Sequence, residues 1–191
     1  MSSISSIIWQ TDMQEALERA QLTQKPILLD FYHPESISCQ QMQAVTYASR
    51  DVATFIDTYL TPVRFDTAKG PENPDYHHIW TPTLLVLNLQ GHELQRTIGF
   101  LNDDDFIAVM HLGLAKVRLD AGQYDTAIIP LKSIMETFYN NNYVPEAIYL
   151  CGVTMYKMTK NSSHLKDAYE RLRKEYPDHI WTKRAEPYRL L

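Results

Sequence analysis

Hydrophobic and polar residues follow a helical pattern at the start of the chain and a strand pattern directly after it. The segment Thr11–Gln24 carries apolar side chains at intervals of three and four residues. This spacing predicts an amphipathic helix with Thr11 or Asp12 as its N-cap. The next segment, Pro26–Tyr32, is a short and almost continuous apolar run. Its length and composition favour a central strand that is buried on both faces.

Two helices and three more strands are predicted before residue 100. One helix starts at Ser36 or Ser38, both good N-caps, and runs past Met42. The other predicted elements are a helix at Arg50–Leu60, strands at Pro62–Asp66, Thr83–Leu87 and Glu93–Ile98, and a loop at Thr67–Asp75. A turn containing Gly91 joins the last two strands, and the final strand alternates in polarity as an edge strand does. These two strands are predicted to form a hairpin.

The pattern after residue 100 predicts helices alone. The predicted helices are Phe106–Leu119, Tyr124–Tyr139, Val144–Lys160 and Ser163–Tyr176. Three consecutive aspartates, Asp103–Asp105, precede the first of them, where negative charge stabilises a helix N-terminus. A mixed α/β unit is therefore followed by an all-α tail.

Composition and charge exclude several classes of protein. The 191 residues are 45% hydrophobic and 21% charged, which is typical of a folded globular protein. With 18 basic and 23 acidic residues, the formal net charge is -5. This balance argues against nucleic acid or an anionic membrane as a partner. Residues 151–191 are richer in Lys and Arg, but the helical spacing of these residues predicts a solvated helix face.

Cysteine usage indicates a reducing compartment. Cys39 and Cys151 are the only cysteines, so the chain has neither a disulfide framework nor a thiolate zinc site. The first residues, Met1–Ser6, lack the basic start and the long apolar stretch of a signal peptide, and no later segment is an uninterrupted apolar run of membrane-spanning length. We expect a soluble, cytoplasmic protein.

A group of motifs in the first part of the chain resembles the active site of the thioredoxin superfamily. Asp30–His33 matches the end of the central strand in that superfamily, and Ser36–Met42 matches the helix that carries the active-site cysteines. Trp80–Thr83 is similar to the loop that bears a cis proline, and Gly91–Gly99 is similar to the final hairpin. The resemblance covers about residues 5–115.

This resemblance implies an α/β, thioredoxin-like fold, with a central mixed sheet flanked by helices. It also implies roles for individual residues. Asp30 matches the buried acidic residue of many thioredoxins, and Cys39 matches the second cysteine of the C-x-x-C motif. Pro82 matches the cis proline beside them.

The chain departs from the superfamily at the position of the nucleophile. Ser36 stands where the superfamily has its first cysteine, and Ile37-Ser38 replaces the common glycine-proline. A thiol at a helix N-terminus is activated because the helix dipole stabilises its thiolate, whereas a serine hydroxyl offers no comparable anion. Without a second thiol in the motif, residues 36–39 cannot close a disulfide, so the dithiol reduction cycle is unavailable.

Two interpretations of Cys39 remain open. It is either a buried thiol of the helix, as free cysteines commonly are, or a monothiol that forms mixed disulfides with Asp30 as proton acceptor. The corresponding alternative for Asp30 is a structural polar residue that solvent or a hydroxyl satisfies. A glutathione-dependent transferase is a third, weaker alternative, because the serine at the helix start could hydrogen-bond a thiolate.

No metal or cofactor is predicted. A metal ion could be bound by Cys39 together with His33, His77 and His78, because the loop before the helix and the cis-proline loop adjoin in this fold. Adjacent histidines on an extended segment point in opposite directions, and no zinc-binding spacing is present.

The tail resembles a tetratricopeptide repeat. Gly122, Tyr124 and Ala127 take the relative places of the turn and second helix of that repeat, and a second copy is predicted around Gly152 and Ala168. The alternative is a generic helical hairpin that packs on the sheet. We predict a thioredoxin-like domain at 1–115 and a repeat-like helical domain at 116–191.

These inferences together predict a redox-degenerate protein-binding adaptor or chaperone-like module, with a monothiol disulfide exchanger acting through Cys39 as the alternative. The expected partner is a protein or peptide. In the thioredoxin superfamily the cis-proline loop pairs with extended polypeptide, which implies a binding surface around it. We call this surface the rim, and it consists of Ser36, Ile37, Trp80, Thr81 and Pro82.

Overall fold

The computed structural model describes residues 7–69 and 76–191. The interpretation of Met1–Ser6 as lacking a signal peptide lies outside the described residues, and so does most of the loop predicted at Thr67–Asp75. The described part of that loop, Thr67–Lys69, is a short 3-10 helix. The chain divides into two compact units, residues 1–107 and 108–191.

The described residues form four strands and eight α-helices. The strands are β1 (Ile27–Tyr32), β2 (Thr61–Asp66), β3 (Thr83–Leu87) and β4 (Glu93–Ile98). The helices are α1 (Met13–Thr23), α2 (Ile37–Ala44), α3 (Arg50–Tyr59), α4 (Asp103–Asp120), α5 (Tyr124–Thr137), α6 (Val144–Thr159), α7 (Ser163–Glu175) and α8 (Ile180–Ala185). In this part of the chain, no helix combines the length and the apolarity needed to cross a bilayer.

The four strands form one mixed sheet in the order β2-β1-β3-β4. Strand β1 is parallel to β2 and antiparallel to β3, and β3 and β4 form the predicted antiparallel hairpin. Strand β1 is buried along most of its length, whereas β4 lies at the edge of the sheet and is largely accessible. The predicted fold class, a mixed sheet flanked by helices, is therefore confirmed.

Helix α1 forms as its pattern predicts. The Asp12 carboxylate accepts a hydrogen bond from the Glu15 backbone N–H at 2.9 Å, which satisfies one of the unpaired donors at the helix start. The helix buries Met13, Ala16 and Ala20 in the core of the first unit. It ends where Gln24 adopts a left-handed conformation with φ of 58°.

The second unit is built from helices that pack on one another. Helix α6 packs against both α5 and α7. A shared core lies between them, and it includes Leu131, Ile134, Ala147 and Leu172. The residues that follow α7 form α8 and a 3-10 helix at Glu186–Leu190.

The sequence pattern missed these last two helices, because it ended the helical region at Tyr176. Helix α8 has only six residues, too few for a hydrophobic periodicity to appear. Its start is capped by the ring of His179, which accepts a hydrogen bond from the Trp181 N–H at 3.2 Å. Tertiary contacts hold both helices, since Ala185 of α8 is fully buried in the core of the unit and Tyr188 of the 3-10 helix packs against that core.

Helices α6 and α7 approach closely at Gly152. A Cβ atom added to Gly152 would lie 2.5 Å from the Cβ of Ala168 and 2.9 Å from the carbonyl oxygen of His164. Both distances are far shorter than ordinary van der Waals contact. The absence of a side chain at this position therefore sets the spacing of the two helices.

We expect Gly152→Ala to destabilise the protein by about 1–3 kcal/mol, because relief of overpacking outweighs the helix propensity gained. Urea unfolding checks this. The double variant with Ala168→Gly should lose less free energy of unfolding than the two single variants lose together, because the clash with the Cβ of Ala168 disappears. A Gly152→Ala variant as stable as the wild type would show that the helices separate without cost.

Candidate functional site

The candidate site lies where the central strand ends and helix α2 begins. Strand β1 ends at Tyr32, and Ser36 is the N-cap of α2. The Ser36 hydroxyl accepts a hydrogen bond from the Cys39 backbone N–H at 3.4 Å and donates one to the Thr81 carbonyl at 3.2 Å. One side chain therefore caps the helix and ties it to the loop that precedes β3.

That loop contains a cis peptide bond between Thr81 and Pro82. The Thr83 hydroxyl donates to the Trp80 carbonyl at 2.6 Å and holds the turn. Pro82 is buried, whereas the Trp80 side chain is 66% exposed. Across the Ser36–Thr81 hydrogen bond, Ile37 at the start of α2 is 83% exposed. The rim thus has two large apolar side chains in solvent, one on each of the two segments that this bond joins.

Both cysteines are unpaired thiols. Cys39 lies in the first turn of α2 and is buried, with 7% of its surface exposed. Cys151 lies in α6 within the second unit, where it is half-buried. Partial burial raises the pKa of the Cys151 thiol, and the positive charges of Lys132 and Arg171 oppose this rise.

A buried ion pair lies beneath α2. Asp30 on β1 is 1% exposed, and its Oδ2 atom lies 2.9 Å from Nε and 2.8 Å from Nη2 of Arg64 on β2. The Tyr47 hydroxyl also donates to this Oδ2 atom, at 3.0 Å. Among the described residues, the other carboxylate oxygen, Oδ1, is buried without a hydrogen-bond partner.

Aromatic rings enclose the Arg64 guanidinium. Its central carbon lies 4.1 Å from the ring centre of Trp9, 4.9 Å from that of Tyr32 and 4.7 Å from that of Tyr47. Its Nη1 atom donates to Oε1 of Gln43 at 2.9 Å. Cation–π contacts of this kind gain strength where water is excluded. Arg64 is therefore fixed by its surroundings as well as by Asp30.

Sequence reasoning missed two residues of this site, Arg64 and Tyr47. The sequence gives little indication that Arg64 belongs to a site, because it is simply the polar residue between Val63 and Phe65 in an alternating strand. Only the parallel register of β1 and β2, which pairs Asp30 with Arg64, brings the two charges together.

Burial dominates the ionisation of the pair. Desolvation raises the pKa of Asp30 above its ordinary value, although the charge of Arg64 and the hydrogen bonds from Arg64 and Tyr47 act in the opposite direction. Burial also raises the pKa of Tyr47 well above its ordinary value, and the Asp30 charge adds to this shift. Tyr47 is therefore a neutral hydrogen-bond donor at physiological pH.

A cavity of about 290 Å³ adjoins this cluster. Asp30, Arg64 and Cys39 all line it. The structure thus brings together Asp30 and Cys39, the two residues that the sequence named as catalytic candidates, at one cavity.

The histidines have local roles. The His33 ring accepts a hydrogen bond from the Glu35 N–H at 3.2 Å. His78 stacks on Phe31 with ring centres 4.6 Å apart, and its pKa is lowered by desolvation and by the charge of Arg96. Within residues 7–69 and 76–191, no group of three or more His, Cys, Asp or Glu side chains is placed to hold a metal ion.

Comparison with protein families agrees with this geometry. A family model described as a thioredoxin-like domain matches residues 13–113, more than half of the chain. The chain therefore belongs to the thioredoxin-like family, as its motifs predicted.

Two curated relatives are the thiol:disulfide interchange proteins DsbD of Colwellia psychrerythraea, 25% identical over 114 residues, and of Ralstonia nicotianae, 27% identical over 116 residues. Each match covers 56% of this chain and 19% of the relative, so the chain spans less than one fifth of the length of these proteins. Among solved structures, a thioredoxin from Thermus thermophilus is similar, with 21% identity and a TM-score of 0.52. That match covers 59% of this chain and 90% of the thioredoxin, and it shows the shared fold.

The raised pKa of Asp30 predicts a specific dependence of stability on pH. In the unfolded chain Asp30 loses its proton near its ordinary pKa of 3.8, whereas the folded protein retains the proton to higher pH. The wild type should therefore lose stability relative to Asp30→Asn as pH rises above about 4, by at most about 1.4 kcal/mol per pH unit, until the folded pKa is reached. Urea unfolding of both proteins between pH 4 and 8 measures the difference. If the wild type instead gains stability relative to the variant over this range, the charge of Arg64 lowers the pKa of Asp30 by more than desolvation raises it.

Proposed function

We propose that this protein is a protein-binding adaptor or chaperone-like module, and that the rim is its binding surface. One observation carries the proposal: Ile37 and Trp80 are largely exposed on the two segments that the Ser36–Thr81 hydrogen bond joins. Large apolar side chains exposed together commonly mark an interaction surface. Tryptophan is also among the residues that contribute most to binding energy in interfaces.

The chemistry of residues 36–39 supports binding rather than dithiol reduction. The Ser36 hydroxyl already accepts one hydrogen bond and donates another, so it serves as a helix cap and a loop tie. Cys39 is buried and has no thiol at position 36 with which to form a disulfide. A polypeptide bound at the rim would therefore lie beside the Ser36 hydroxyl, at the position where the superfamily has its attacking thiolate.

The relatives support a link to thiol–disulfide biology. Two curated proteins that match 56% of the chain are named thiol:disulfide interchange proteins. In this chain we propose that the link is through recognition of the polypeptides involved in such exchange. Helices α5–α7 add to the case for a protein partner, because α6 packs against both α5 and α7 and helix pairs form grooves that suit helical or extended segments.

Replacement of the rim tryptophan tests the proposal. We expect Trp80→Ala to reduce, by severalfold, the ability of the protein to suppress aggregation of a chemically denatured substrate protein, as measured by light scattering. Tyr139→Ala is the matched control, because both side chains are aromatic and 66% exposed while Tyr139 lies outside the rim. Equal activity of the wild type and both variants would remove the rim as the binding surface.

A second candidate function is monothiol disulfide exchange, which the position of Cys39 in a cavity shared with Asp30 favours. The Cys39 thiolate would attack a disulfide sulfur of the substrate, forming one new S–S bond as the original bond breaks and a substrate thiolate leaves. A second, external thiol such as glutathione would then attack the mixed disulfide and be oxidised as Cys39 is released.

Restoring the missing thiol separates the two functions. In a disulfide reduction assay with a dithiol reductant, we expect no turnover by the wild type and measurable turnover by Ser36→Cys. Adding Cys39→Ser to that variant should abolish the gain. Turnover by the wild type in the presence of glutathione that Cys39→Ser alone removes would establish the second function instead.

A further inference from the structure

Exposed apolar side chains continue beyond the rim, along the loop before β3 and past the end of β4. Apolar side chains scattered singly over a surface are ordinary, whereas a group of them marks an interaction site. The members of this group are large and 41–95% exposed. We call them the apolar patch, which consists of Ile37, Ile79, Trp80, Ile98 and Phe100.

Hydrogen bonds tie together the three segments that carry the apolar patch. The Ser36–Thr81 hydrogen bond joins the start of α2 to the loop before β3. The Gly99 N–H donates to the Pro82 carbonyl at 2.9 Å, which joins the residues after β4 to the same loop. The three segments therefore meet at Thr81 and Pro82.

Arg96 adds a contact between β4 and this loop, and its own charge is compensated. Its Nη1 atom donates to the His77 carbonyl at 2.7 Å. Ile98 lies on the same face of β4 as Arg96, because alternate residues of a strand share a face. The Nε and Nη2 atoms of Arg96 donate to the two carboxylate oxygens of Glu93, at 2.7 and 2.6 Å. Arg96 therefore leaves no unpaired positive charge beside the patch.

The charge around the apolar patch is negative. Its three segments, residues 33–42, 76–83 and 93–105, contain five acidic residues and one basic residue, Arg96. Glu35 directly precedes the N-cap of α2, Asp104 lies in the first turn of α4, and both are exposed. Within residues 7–69 and 76–191, neither of these two carboxylates forms an ion pair. Two unpaired negative charges therefore accompany the exposed apolar side chains.

The first unit as a whole carries charge of the same sign. Residues 1–107 include 14 Asp and Glu side chains but six Lys and Arg side chains. The summed field of such a unit attracts a basic partner and repels an acidic one before contact is made. The local and the overall charge thus favour the same kind of partner.

We propose that the apolar patch binds a polypeptide segment whose large apolar residues are flanked by lysine or arginine. This inference rests on the function proposed for the rim, and it adds the chemical class of the partner. The apolar residues of the segment cover the patch, and its basic residues pair with Glu35 and Asp104. Complementary charge of this kind selects among partners and speeds association more than it adds affinity.

Three capped peptides test the proposal. They share the apolar centre Leu-Phe-Val-Phe-Leu, flanked on each side by two lysines, two glutamines or two glutamates. Isothermal titration calorimetry of the full chain is done at low salt and about pH 8, where histidine is ordinarily neutral. We expect the lysine peptide to bind about fivefold more tightly than the glutamine peptide, because a few exposed ion pairs form, and the glutamate peptide to bind most weakly. In about 1 M sodium chloride the first difference should fall below about twofold, because salt screens exposed charges.

Neutralising the two unpaired carboxylates supplies the matched variants. Glu35→Gln combined with Asp104→Asn should reduce the preference for the lysine peptide over the glutamine peptide to about twofold or less. The control is Asp51→Asn combined with Asp57→Asn, which also removes two exposed negative charges, one of them from the first turn of a helix. Both control residues lie on α3, outside the three segments, so this variant should keep the preference of the wild type.

The outcomes separate this inference from the function proposed for the rim. Equal affinity for the three peptides, no binding of any of them, or a preference that the control variant loses as fully as the other would overturn the inference. If the three peptides bind equally and Trp80→Ala weakens all of them, the rim stands and only the preference for basic segments fails. Binding that Trp80→Ala leaves unchanged would remove the rim as well.

A second copy of this chain is the competing occupant, because its residues 151–191 are rich in Lys and Arg. Sedimentation velocity measures self-association of the wild type directly. We expect a monomer whose sedimentation is the same as that of Glu35→Gln combined with Asp104→Asn. Self-association that this variant abolishes would identify the second copy as the occupant and overturn the proposal.

Discussion

The buried ion pair between Asp30 and Arg64 is the interaction on which the arrangement of the first unit depends. The two residues face each other across the parallel pairing of β1 and β2. Removing either partner of such a pair leaves an uncompensated buried charge, at a cost of about 3–5 kcal/mol. The surrounding residues stabilise both groups, because Tyr47 donates a hydrogen bond to the same carboxylate oxygen and three aromatic rings cover the guanidinium.

The segment before α1 takes part in the same arrangement. Gln10 pairs with the outer edge of β2: its N–H donates to the Pro62 carbonyl at 3.0 Å, and its own carbonyl accepts from the Arg64 N–H at 2.9 Å. This pairing sets the neighbouring Trp9 over the Arg64 guanidinium. The short pairing also covers part of a sheet edge that would otherwise expose unpaired backbone groups.

The Ser36 hydroxyl holds together the two segments of the candidate site. A hydroxyl suits the N-cap of a helix because it accepts from a backbone N–H, and here it also donates to the carbonyl of the cis-proline loop. The hydroxyl is therefore a structural link between the start of α2 and this loop, and the exposed side chains of Ile37 and Trp80 lie on the two segments that it joins.

Elements with a clear periodicity were predictable from sequence, and their assigned bounds differ little from those observed. Strands β3 and β4 have the predicted limits, and α5–α7 end within two residues of theirs. Helix α8 was not predictable, because six residues show no periodicity and its stability comes from burial of Ala185. The partnership of Arg64 with Asp30 was also invisible, since the two residues are far apart in the chain and only strand register joins them.

The sequence by itself therefore determined the order of helices and strands, the thioredoxin-like fold and the presence of serine at position 36, because these follow from local patterns and residue identity. Only the tertiary structure decided what surrounds Asp30 and which residues line the cavity beside Cys39. The physical reason is that hydrophobic periodicity specifies which face of an element is buried, whereas the partner of a buried charge depends on contacts between residues distant in the chain.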